Sequence, residues 1–398
     1  MKQGTIPWYR LRGHNGRFKK AEPTATSIAS TTLKASTTSW ASTTLRTSTT
    51  STDLPRHCTV KDLKDSEAFS KVFVKQDKLG EGGDGMVHSY RHRSTGDVIA
   101  VKVPNDKKEI ASLELEAFYL DGLGQHNHIV EFLGYNEHHG PLGPAMFMRV
   151  ADLGSLGHYR DALCKQQRQR GRPGQPDELT IWKLLRDMTL ALDFLHNHFQ
   201  SAYVHRDVKP GNILVRTPDG YDTTAGIPTV PIFVLADFSR LTPHPTPEGE
   251  TPKRWNGTPE YAPSPAERRS QVKPCTDIWR LGATIQDFAL GKSPHQSKVD
   301  FMLDQKMQGL RHPNLDDRET WAKTQWQYAR PVIWRPINAP PEQYAYMRDY
   351  RPYSAELNTV YTSLMNRDPK RRPTSQELAR QQVPLIDKKL KMTKNWRL

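Results

Sequence analysis

The stretch YVHRDVKPGNILV, residues 203–215, places a run of charged and polar residues between two apolar segments. Within it, Asp207 precedes Asn212 by five residues. An acid and an amide at this spacing suit phosphoryl transfer, because the carboxylate can orient or deprotonate an attacking hydroxyl while the amide oxygen binds a metal on the leaving phosphates. Lys209 lies between them, and its charge can neutralise the charge that builds on the transferred group. The stretch therefore predicts a loop that handles phosphate groups.

A glycine-rich run, GEGGDGMV, occupies residues 80–87 with the spacing GxGxxGxV. A dinucleotide-binding fold would require a helix directly after the glycines, but MVHSYRH at 86–92 is typical of a strand. A strand–loop–strand hairpin can fold over a polyphosphate, because residues without Cβ let backbone N–H groups approach its oxygens. The alternative is an ordinary hairpin turn.

Lys102 lies in the strand IAVKV, which follows a strand at 71–80 and the strand at 86–92. A lysine inside a half-buried sheet is costly unless an acid pairs with it. Glu116 is the best such acid in the helical segment 107–123, with Glu109 and Glu114 behind it. The alternative is a lysine that faces solvent on the sheet.

The run HRDVKPGN resembles the catalytic loop of eukaryotic protein kinases, and ADFS at 236–239 resembles their metal-binding ADFG. Lysine two residues after the aspartate, with Thr258 in the run GTPEY, is the serine/threonine pattern of that family. The resemblance implies ATP and Mg²⁺ as cofactors and Ser/Thr hydroxyls of proteins as acceptors. The implied catalytic residues are Asp207, Lys209, Lys102 and Glu116, and the implied metal ligands are Asn212 and Asp237.

The resemblance also implies a nucleotide site. Met148 takes the gatekeeper position, residues 149–151 form the hinge whose backbone would bond the adenine edge, and Phe238 would pack under the regulatory helix. The implied nucleotide-binding residues are Leu79, Gly80, Gly82, Gly85, Val87, Ala100, Lys102, Met148, Ala151 and Leu214.

Further motifs follow in the family's order. GTPEY at 257–261 is similar to the family's GTxxY segment, DIWRLG at 277–282 to its DxWsxG helix, and RDPKRRPT at 367–374 to its closing motif. In the family, the aspartate of the DxWsxG helix, here Asp277, braces the catalytic loop. The resemblance covers roughly residues 70–382.

The implied fold is α+β and two-lobed. A small strand-rich N-lobe with one regulatory helix is expected at about 70–150, and a larger, mainly helical C-lobe at about 151–382, with its strongest helix at 179–198. Residues 165–178 are expected to form a loop, and 216–231 a surface insertion. The domain prediction is a disordered basic tail at 1–65, a kinase domain at 66–382 and a basic C-terminal tail at 383–398.

Ser239 replaces the family's glycine after Phe238. Glycine tolerates backbone flips between active and inactive states, whereas serine still adopts most helical or extended angles. We therefore expect restricted switching rather than lost chemistry, with neutral drift as the alternative.

The family's Ala-Pro-Glu is also disturbed, because Ala262-Pro263 is followed by Ser264, and Glu267 comes slightly late. The family's glutamate pairs a buried arginine, which the resemblance assigns to Arg372. Either Glu267 forms this pair through a small local insertion, or the pair is missing and an unpaired buried arginine costs roughly a few kcal/mol. We favour Glu267.

Three threonines in the segment 237–257 precede proline: Thr242, Thr246 and Thr251. Arg206, directly before Asp207, stands where an arginine often receives a phosphate from this segment. We expect an upstream proline-directed kinase to act on Thr246 or Thr251. The alternative is a proline-rich loop that is not modified.

The N-terminus carries much of the net charge of +14, since residues 1–52 hold eight Lys or Arg and the single acid Glu22. Residues 29–52 repeat with a period of six: ASTTLK, ASTTSW, ASTTLR and TSTTST. Such short polar copies cannot bury a core, so disorder is expected. An organelle transit peptide is the minority interpretation.

The remaining composition excludes several classes. The three cysteines show no CxxC spacing, so neither a disulfide framework nor a zinc site is expected, and a reducing compartment fits. No apolar run reaches the roughly 18 residues of a membrane helix, and the N-terminus lacks the apolar core of a secretory signal. No interleaved aromatic and base-reading residues support nucleic-acid binding. Cytoplasm or nucleus is the expected location.

These motifs predict a serine/threonine protein kinase. The main alternative is a pseudokinase that binds nucleotide or partners with little catalysis, which Ser239, the altered Ala-Pro-Glu and the tail favour. A small-molecule phosphotransferase is disfavoured by Lys209 and by the GTPEY and DIWRLG motifs, which a peptide-binding lobe uses.

Overall fold

The computed structural model describes residues 10–12, 18–20, 63, 65–83, 85–250, 256–296, 301, 303, 334–339 and 350–395. At the N-terminus, two short strands, β1 (Arg10–Arg12) and β2 (Phe18–Lys20), pair antiparallel. Most of the tail that the sequence predicts to be disordered lies outside the described residues, as does Thr251. The disorder therefore stays a prediction.

The strand-rich lobe is a five-stranded antiparallel sheet with the order β3-β4-β5-β7-β6. Its elements in chain order are helix α1 (Ser66–Val72), strands β3 (Phe73–Gly82), β4 (Gly85–His92) and β5 (Val98–Val103), helix α2 (Ile110–Leu123), and strands β6 (Phe132–Gly140) and β7 (Gly143–Arg149). The predicted strands and regulatory helix are present. The first strand begins two residues late, because Lys71 and Val72 complete α1.

The two faces of the sheet have different neighbours. On the outer face, Ile99, Val101 and Phe147 pack in a separate apolar cluster with Phe69 of α1. The ring of Phe69 stacks on that of Phe73 with centroids 4.6 Å apart. Residues of β5 at the alternate positions therefore face α2 and the second lobe, as a strand period of two requires.

The second lobe is mainly helical. It contains helices α3 (Leu156–Gln169) and α4 (Glu178–Asn197), strands β8 (Ala202–Val204), β9 (Ile213–Arg216), β10 (Ile232–Leu235) and β11 (Thr242–His244), and helices α5 (Pro265–Arg269), α6 (Pro274–Leu290), α7 (Ala355–Leu364), α8 (Ser375–Gln381) and α9 (Val383–Asn395). Strands β9 and β10 form one antiparallel ribbon and β8 and β11 another. The family-derived expectation of a two-lobed α+β fold is confirmed.

Helix α4 lies at the centre of this lobe. Its leucines recur at helical spacing, and Leu184, Leu192 and Leu195 are fully buried in the main core. The core also contains Ile278 and Leu281 of α6. The helix matches the predicted 179–198 closely.

The prediction of a loop at 165–178 is wrong in its first part, because α3 continues to Gln169. Tertiary bonds extend the helix: Gln166 exchanges two hydrogen bonds with the backbone of Ile227, of 3.0 and 2.7 Å. The Arg170 guanidinium donates to the Ala225 carbonyl at 2.7 Å. The connection between β9 and β10, residues 217–231, is therefore anchored on α3 and provides hydrogen-bond partners for the C-terminal end of this helix.

Helix α9 packs against α4 beyond the predicted domain boundary at 382. Ile386 is fully buried, and Arg186 Nε donates to Asp387 Oδ1 at 2.5 Å. No helix among the described residues is long and apolar enough to span a membrane.

Candidate active site

Asp207 lies in a buried loop between β8 and β9, where five donors converge on its carboxylate. Oδ2 accepts from Lys209 Nζ at 2.8 Å and from Asn212 Nδ2 at 3.2 Å. Oδ1 accepts from the backbone and hydroxyl of Thr258, both at 3.2 Å, and from Arg280 Nη2. Burial by itself raises the pKa of Asp207, but Arg280 and Lys209 outweigh it and hold the pKa below the ordinary value.

The backbone of this loop is held by α6. Asp277 Oδ2 accepts from His205 N at 2.7 Å, and Asp277 Oδ1 accepts from Arg206 N at 2.9 Å. Arg206 has φ of 72°, a left-handed conformation that costs a non-glycine residue about 1–2 kcal/mol. The two bonds to Asp277 help to offset this cost and hold the backbone of the loop directly before Asp207.

Arg280 is a residue of this site that sequence reasoning missed. It lies on α6, is fully buried, and besides Asp207 it reaches the Val208 carbonyl, 3.2 Å from Nε. The signal was in the sequence, because an arginine in DIWRLG fills a position where the family pattern DxWsxG has a serine.

Lys102 of β5 is also buried, and it meets an acid on α2. Its Nζ donates to Glu116 Oε2 at 2.6 Å, with Asp237 Oδ1 3.9 Å away. The other oxygen of Glu116 accepts from the backbone N–H of Phe238 at 3.1 Å. Of the three candidate acids, the structure therefore brings Glu116 to the lysine, and it links α2 to the segment after β10.

Asp237 lies two residues beyond β10 with φ of 64°. Ser239 Oγ donates to its Oδ1 at 2.7 Å. Burial raises the pKa of Asp237, while Lys102 and the Ser239 hydroxyl lower it, and the pKa stays below the ordinary value. The β9–β10 pairing brings Asn212 to the same end, where its carbonyl accepts from Ala236 N at 2.9 Å.

Phe238 is fully buried beneath these acids. Its ring meets His205 edge-on, with centroids 5.0 Å apart. His205 Nε2 lies 3.1 Å from the Ala236 carbonyl oxygen. The ring contact and this polar contact together link the loop that carries Asp207 to the segment that carries Asp237.

The residues implied for nucleotide binding lie on strands β3, β4, β5, β7 and β9 and directly after β7. Ala100 of β5 pairs with Met148 of β7, and both are buried on the inner face. Val87 and Leu214 are half-buried, and Leu79 is exposed at the end of β3. The hinge residues, including Ala151, follow β7 directly.

The glycines of the β3–β4 turn differ from one another. A Cβ at Gly80 or Gly82 would meet nothing within 4 Å. Gly85 has φ of +131°, and a Cβ there would lie 2.5 Å from the carbonyl oxygen of Val103. Only Gly85 is thus required by the geometry of the protein itself, while the other two leave the loop open on its exposed side.

The altered Ala-Pro-Glu segment keeps its ion pair. Glu267 of α5 accepts from both terminal nitrogens of Arg372, each at 2.8 Å. Arg372 also lies over the ring of Trp279, 4.9 Å from the centroid. Of the two possibilities left by the sequence, the structure therefore has the Glu267 pair.

The described threonine–proline sites are not equivalent. Thr242 is buried in β11, whereas Thr246 is half-buried and accepts from Gln271 Nε2 at 2.6 Å through its hydroxyl.

Comparison with known proteins places this geometry in context. A family model described as protein kinase domain matches residues 73–383. The chain is 25% identical over 263 residues to serine/threonine-protein kinase atg1 of Aspergillus clavatus, which covers 56% of the chain and 27% of that protein. It is 29% identical over 275 residues to serine/threonine-protein kinase cst-1 of Caenorhabditis elegans, covering 65% and 47% respectively. It is 29% identical over 235 residues to serine/threonine-protein kinase PKZ1 of Phytophthora infestans, covering 55% and 54%. The chain thus spans between about a quarter and about half the length of these curated relatives.

Proposed function

Since this chain belongs to the protein kinase family, we propose that it transfers the γ-phosphate of ATP to serine and threonine hydroxyls of proteins. The observation that carries the proposal is the convergence of two polar groups at one cleft. The Lys102–Glu116 pair comes from the sheet and α2, while Asp207 and Asn212 come from the loop between β8 and β9. Asp237 lies close to both groups. Its Oδ1 is 3.9 Å from Lys102 Nζ, and the backbone N–H of the preceding residue, Ala236, donates to the backbone carbonyl of Asn212.

We assign Asp207 the acceptor hydroxyl. As the hydroxyl oxygen attacks the γ-phosphorus and the bond to the bridging oxygen of ADP breaks, the hydroxyl proton passes to this carboxylate. Because the pKa of Asp207 lies below its ordinary value, the group is a weak base before the transfer. Its first role is therefore to orient the hydroxyl, and it takes the proton late, as expected for a loose transition state.

Lys209 is proposed to neutralise charge on the transferred phosphoryl group. Its Nζ donates to Asp207 Oδ2 at 2.8 Å and to Thr258 Oγ1 at 2.9 Å, so the ammonium lies beside the proposed base. An ammonium held by fixed partners needs no reorganisation when charge develops, which is the condition for electrostatic catalysis. The Lys209–Thr258 contact also supports the serine/threonine type.

We propose that Lys102 binds the phosphates of ATP other than the transferred γ-phosphate. A buried lysine costs free energy unless it is paired, and Glu116 supplies the pairing at 2.6 Å. A Cβ added at Gly80 or Gly82 would meet nothing within 4 Å. The backbone of the turn is therefore open to a polyphosphate at these two positions.

The donor set at the mouth of the β9–β10 ribbon fits Mg²⁺. Asp237 supplies carboxylate oxygens, and Asn212 supplies an amide oxygen because its nitrogen already donates to Asp207. Oxygen ligands of this kind are those that Mg²⁺ takes together with substrate phosphates. When bound, the ion would neutralise phosphate charge during transfer. Ser239 would hold one oxygen of Asp237 in place.

The test is phosphate transfer from labelled Mg-ATP to a generic basic substrate protein. We expect Asp207→Asn to abolish at least about 99% of turnover while nucleotide binding persists, because the loss is confined to the transition state. Asp121→Asn is the matched control, since Asp121 is exposed on α2. Equal turnover in the wild type and Asp207→Asn, or no turnover in either, would favour a pseudokinase.

An upstream proline-directed kinase acting on Thr246 or Thr251 is a separate proposal. Its support is that Thr246 is half-buried in a segment that also holds Arg240, whose carbonyl accepts from Arg206 at 3.2 Å. The double variant Thr246→Ala/Thr251→Ala should lose any activation that phosphate brings. Unchanged activity of the native protein after phosphatase treatment would contradict the proposal.

Cytoplasm or nucleus remains the proposed location. Its support is that Cys164 and Cys275 are free thiols, which suits a reducing compartment. Microscopy of the tagged full chain tests this, and import into an organelle would instead support the transit-peptide interpretation.

A further inference from the structure

Arg280 has no obvious structural reason to be charged. It is the largest of the fully buried side chains among the described residues, and the residues on either side of it in the sequence of α6, Trp279 and Leu281, are apolar and buried. An arginine cannot deprotonate in a protein, so it carries its charge into the core. Such a charge is retained only when a buried partner compensates its desolvation. The partner here is Asp207, whose side chain is also almost completely buried.

Two residues of α6, Asp277 and Arg280, form hydrogen bonds with residues 205–208 of the loop that carries Asp207. Asp277 and Arg280 are three residues apart, so they share one face of the helix. Asp277 accepts the N–H groups of His205 and Arg206. Arg280 donates to the Asp207 carboxylate and to the Val208 carbonyl. The helix therefore binds four consecutive residues of the loop, and only Arg280 reaches the side chain that would meet the acceptor.

The five donors on Asp207 divide between its two oxygens. Lys209 and Asn212 donate to Oδ2, while Thr258 and Arg280 donate to Oδ1. A carboxylate has about four lone-pair sites. Because five donors already surround these sites, the Asp207 carboxylate cannot rotate without breaking at least one of the hydrogen bonds. Of these donors, Arg280 is the one that is both charged and fully enclosed by the core.

We propose that Arg280 is a positioning residue, which fixes the orientation of the Asp207 carboxylate toward the acceptor hydroxyl. This inference rests on the proposed kinase function. Arg280 acts through Asp207 and touches neither substrate.

The first experiment compares Arg280→Met with the wild type in the labelled Mg-ATP assay. Methionine removes the charge with an apolar side chain. We expect kcat to fall about 10- to 100-fold, as for a small misplacement of a reacting group. We expect KM for ATP to stay within about threefold, because the hydrogen bonds of Arg280 go to Asp207 and Val208, which lie outside the proposed nucleotide site.

Arg371→Met is the matched control, since the Arg371 side chain is 77% exposed and pairs with Asp368 at 3.6 Å. It should keep both kcat and KM. A kcat of Arg280→Met within about threefold of the wild type, or a KM for ATP that rises as much as kcat falls, would overturn the proposal, because a positioning residue lowers kcat alone. Arg280→Lys keeps the charge but not the planar fork of donors, so kcat should fall about 3- to 10-fold at unchanged KM for ATP, and this variant decides the question if the methionine variant does not fold.

A second experiment does not depend on activity. Urea unfolding of the wild type, Arg280→Met, Asp207→Asn and the double variant measures the coupling between the two side chains. We expect Arg280→Met to lower the folding equilibrium constant at least about tenfold less in the Asp207→Asn background. Additive effects would refute the ion pair. Wild-type protein that transfers no phosphate but shows this coupling would count against the proposed kinase function, while the pairing of Arg280 with Asp207 would stand.

Discussion

At the scale of single residues, the two acids of the cleft are held by side chains that the family pattern does not contain. Arg280 occupies one oxygen of Asp207, and Ser239 donates to one oxygen of Asp237 at 2.7 Å. Both acids have their pKa held below the ordinary value despite burial. The departures in the sequence thus coincide with contacts on the groups that would do the chemistry.

Ser239→Gly tests whether the serine is a switch. Glycine removes the hydroxyl that holds Asp237 and restores the family residue, so ATP affinity should stay nearly unchanged and turnover should change by less than about tenfold, or 1.4 kcal/mol. Steady-state kinetics at saturating Mg²⁺ measures this. A hundredfold gain in turnover would identify Ser239 as an off-switch.

Gly85→Ala tests the glycine turn with a matched control. A Cβ at Gly85 would lie 2.5 Å from the Val103 carbonyl oxygen and force φ away from +131°, whereas Gly82 has nothing within 4 Å. Strain of this kind costs about 1–3 kcal/mol. We expect KM for ATP to rise about 5- to 100-fold in Gly85→Ala and to change little in Gly82→Ala. Equal effects of the two substitutions would contradict the geometry.

At the scale of elements, one buried ion pair joins α5 to the loop before α8. Glu267 and Arg372 have side chains that are 7% and 0% exposed, and they form two parallel hydrogen bonds. The local insertion displaces the glutamate along the sequence but α5 returns it to the arginine. The altered motif therefore keeps the contact that the family's glutamate makes.

Glu267→Gln should destabilise the protein by about 3 kcal/mol, because a buried guanidinium loses its counter-charge. The matched control is Glu67→Gln, which breaks the Lys71–Glu67 pair of 2.7 Å on the exposed surface of α1. That change should cost no more than about 1 kcal/mol. Chemical denaturation at neutral pH measures both, and similar losses in the two variants would show that the buried pair is not special.

At the scale of the whole molecule, both the core and the candidate cleft contain titratable groups whose charge state is tied to folding. Burial lowers the pKa of His126 to about 4, and it also lowers the pKa of His128 and of His205. Asp287 has the opposite sign, because burial raises its pKa and favours the folded state at low pH. The histidines and the acids with lowered pKa together set the pH range over which the fold is stable.

Stability should fall as the pH is lowered from about 7 to about 4. An unfolded histidine has a pKa of about 6.5, so the unfolded chain binds more protons than the folded one in this range, and the stabilising contribution is present above about pH 6.5. His126 stacks on Phe194 with centroids 4.6 Å apart, so His126→Phe keeps an aromatic ring there and removes the titration. Urea unfolding across this range should show a shallower decline in His126→Phe, and an identical decline would exclude this residue.

The sequence by itself determined the local elements and the chemistry of the loops. Periodicity predicted the strands and the helices near 107–123 and 179–198, because the alternation of apolar residues is a local property. The order of the motifs predicted the two-lobed fold. It also identified the polar residues that the structure brings together around Asp207 and Lys102.

Only the tertiary structure decided which distant residues meet. It selected Glu116 for Lys102, returned Glu267 to Arg372 and buried Thr242 in β11. It also pairs Arg280, which the sequence showed only as part of a helix motif, with Asp207, 73 residues away in sequence. No local pattern encodes such pairs, because they depend on how α6 packs under the loop, and packing is a property of the complete core.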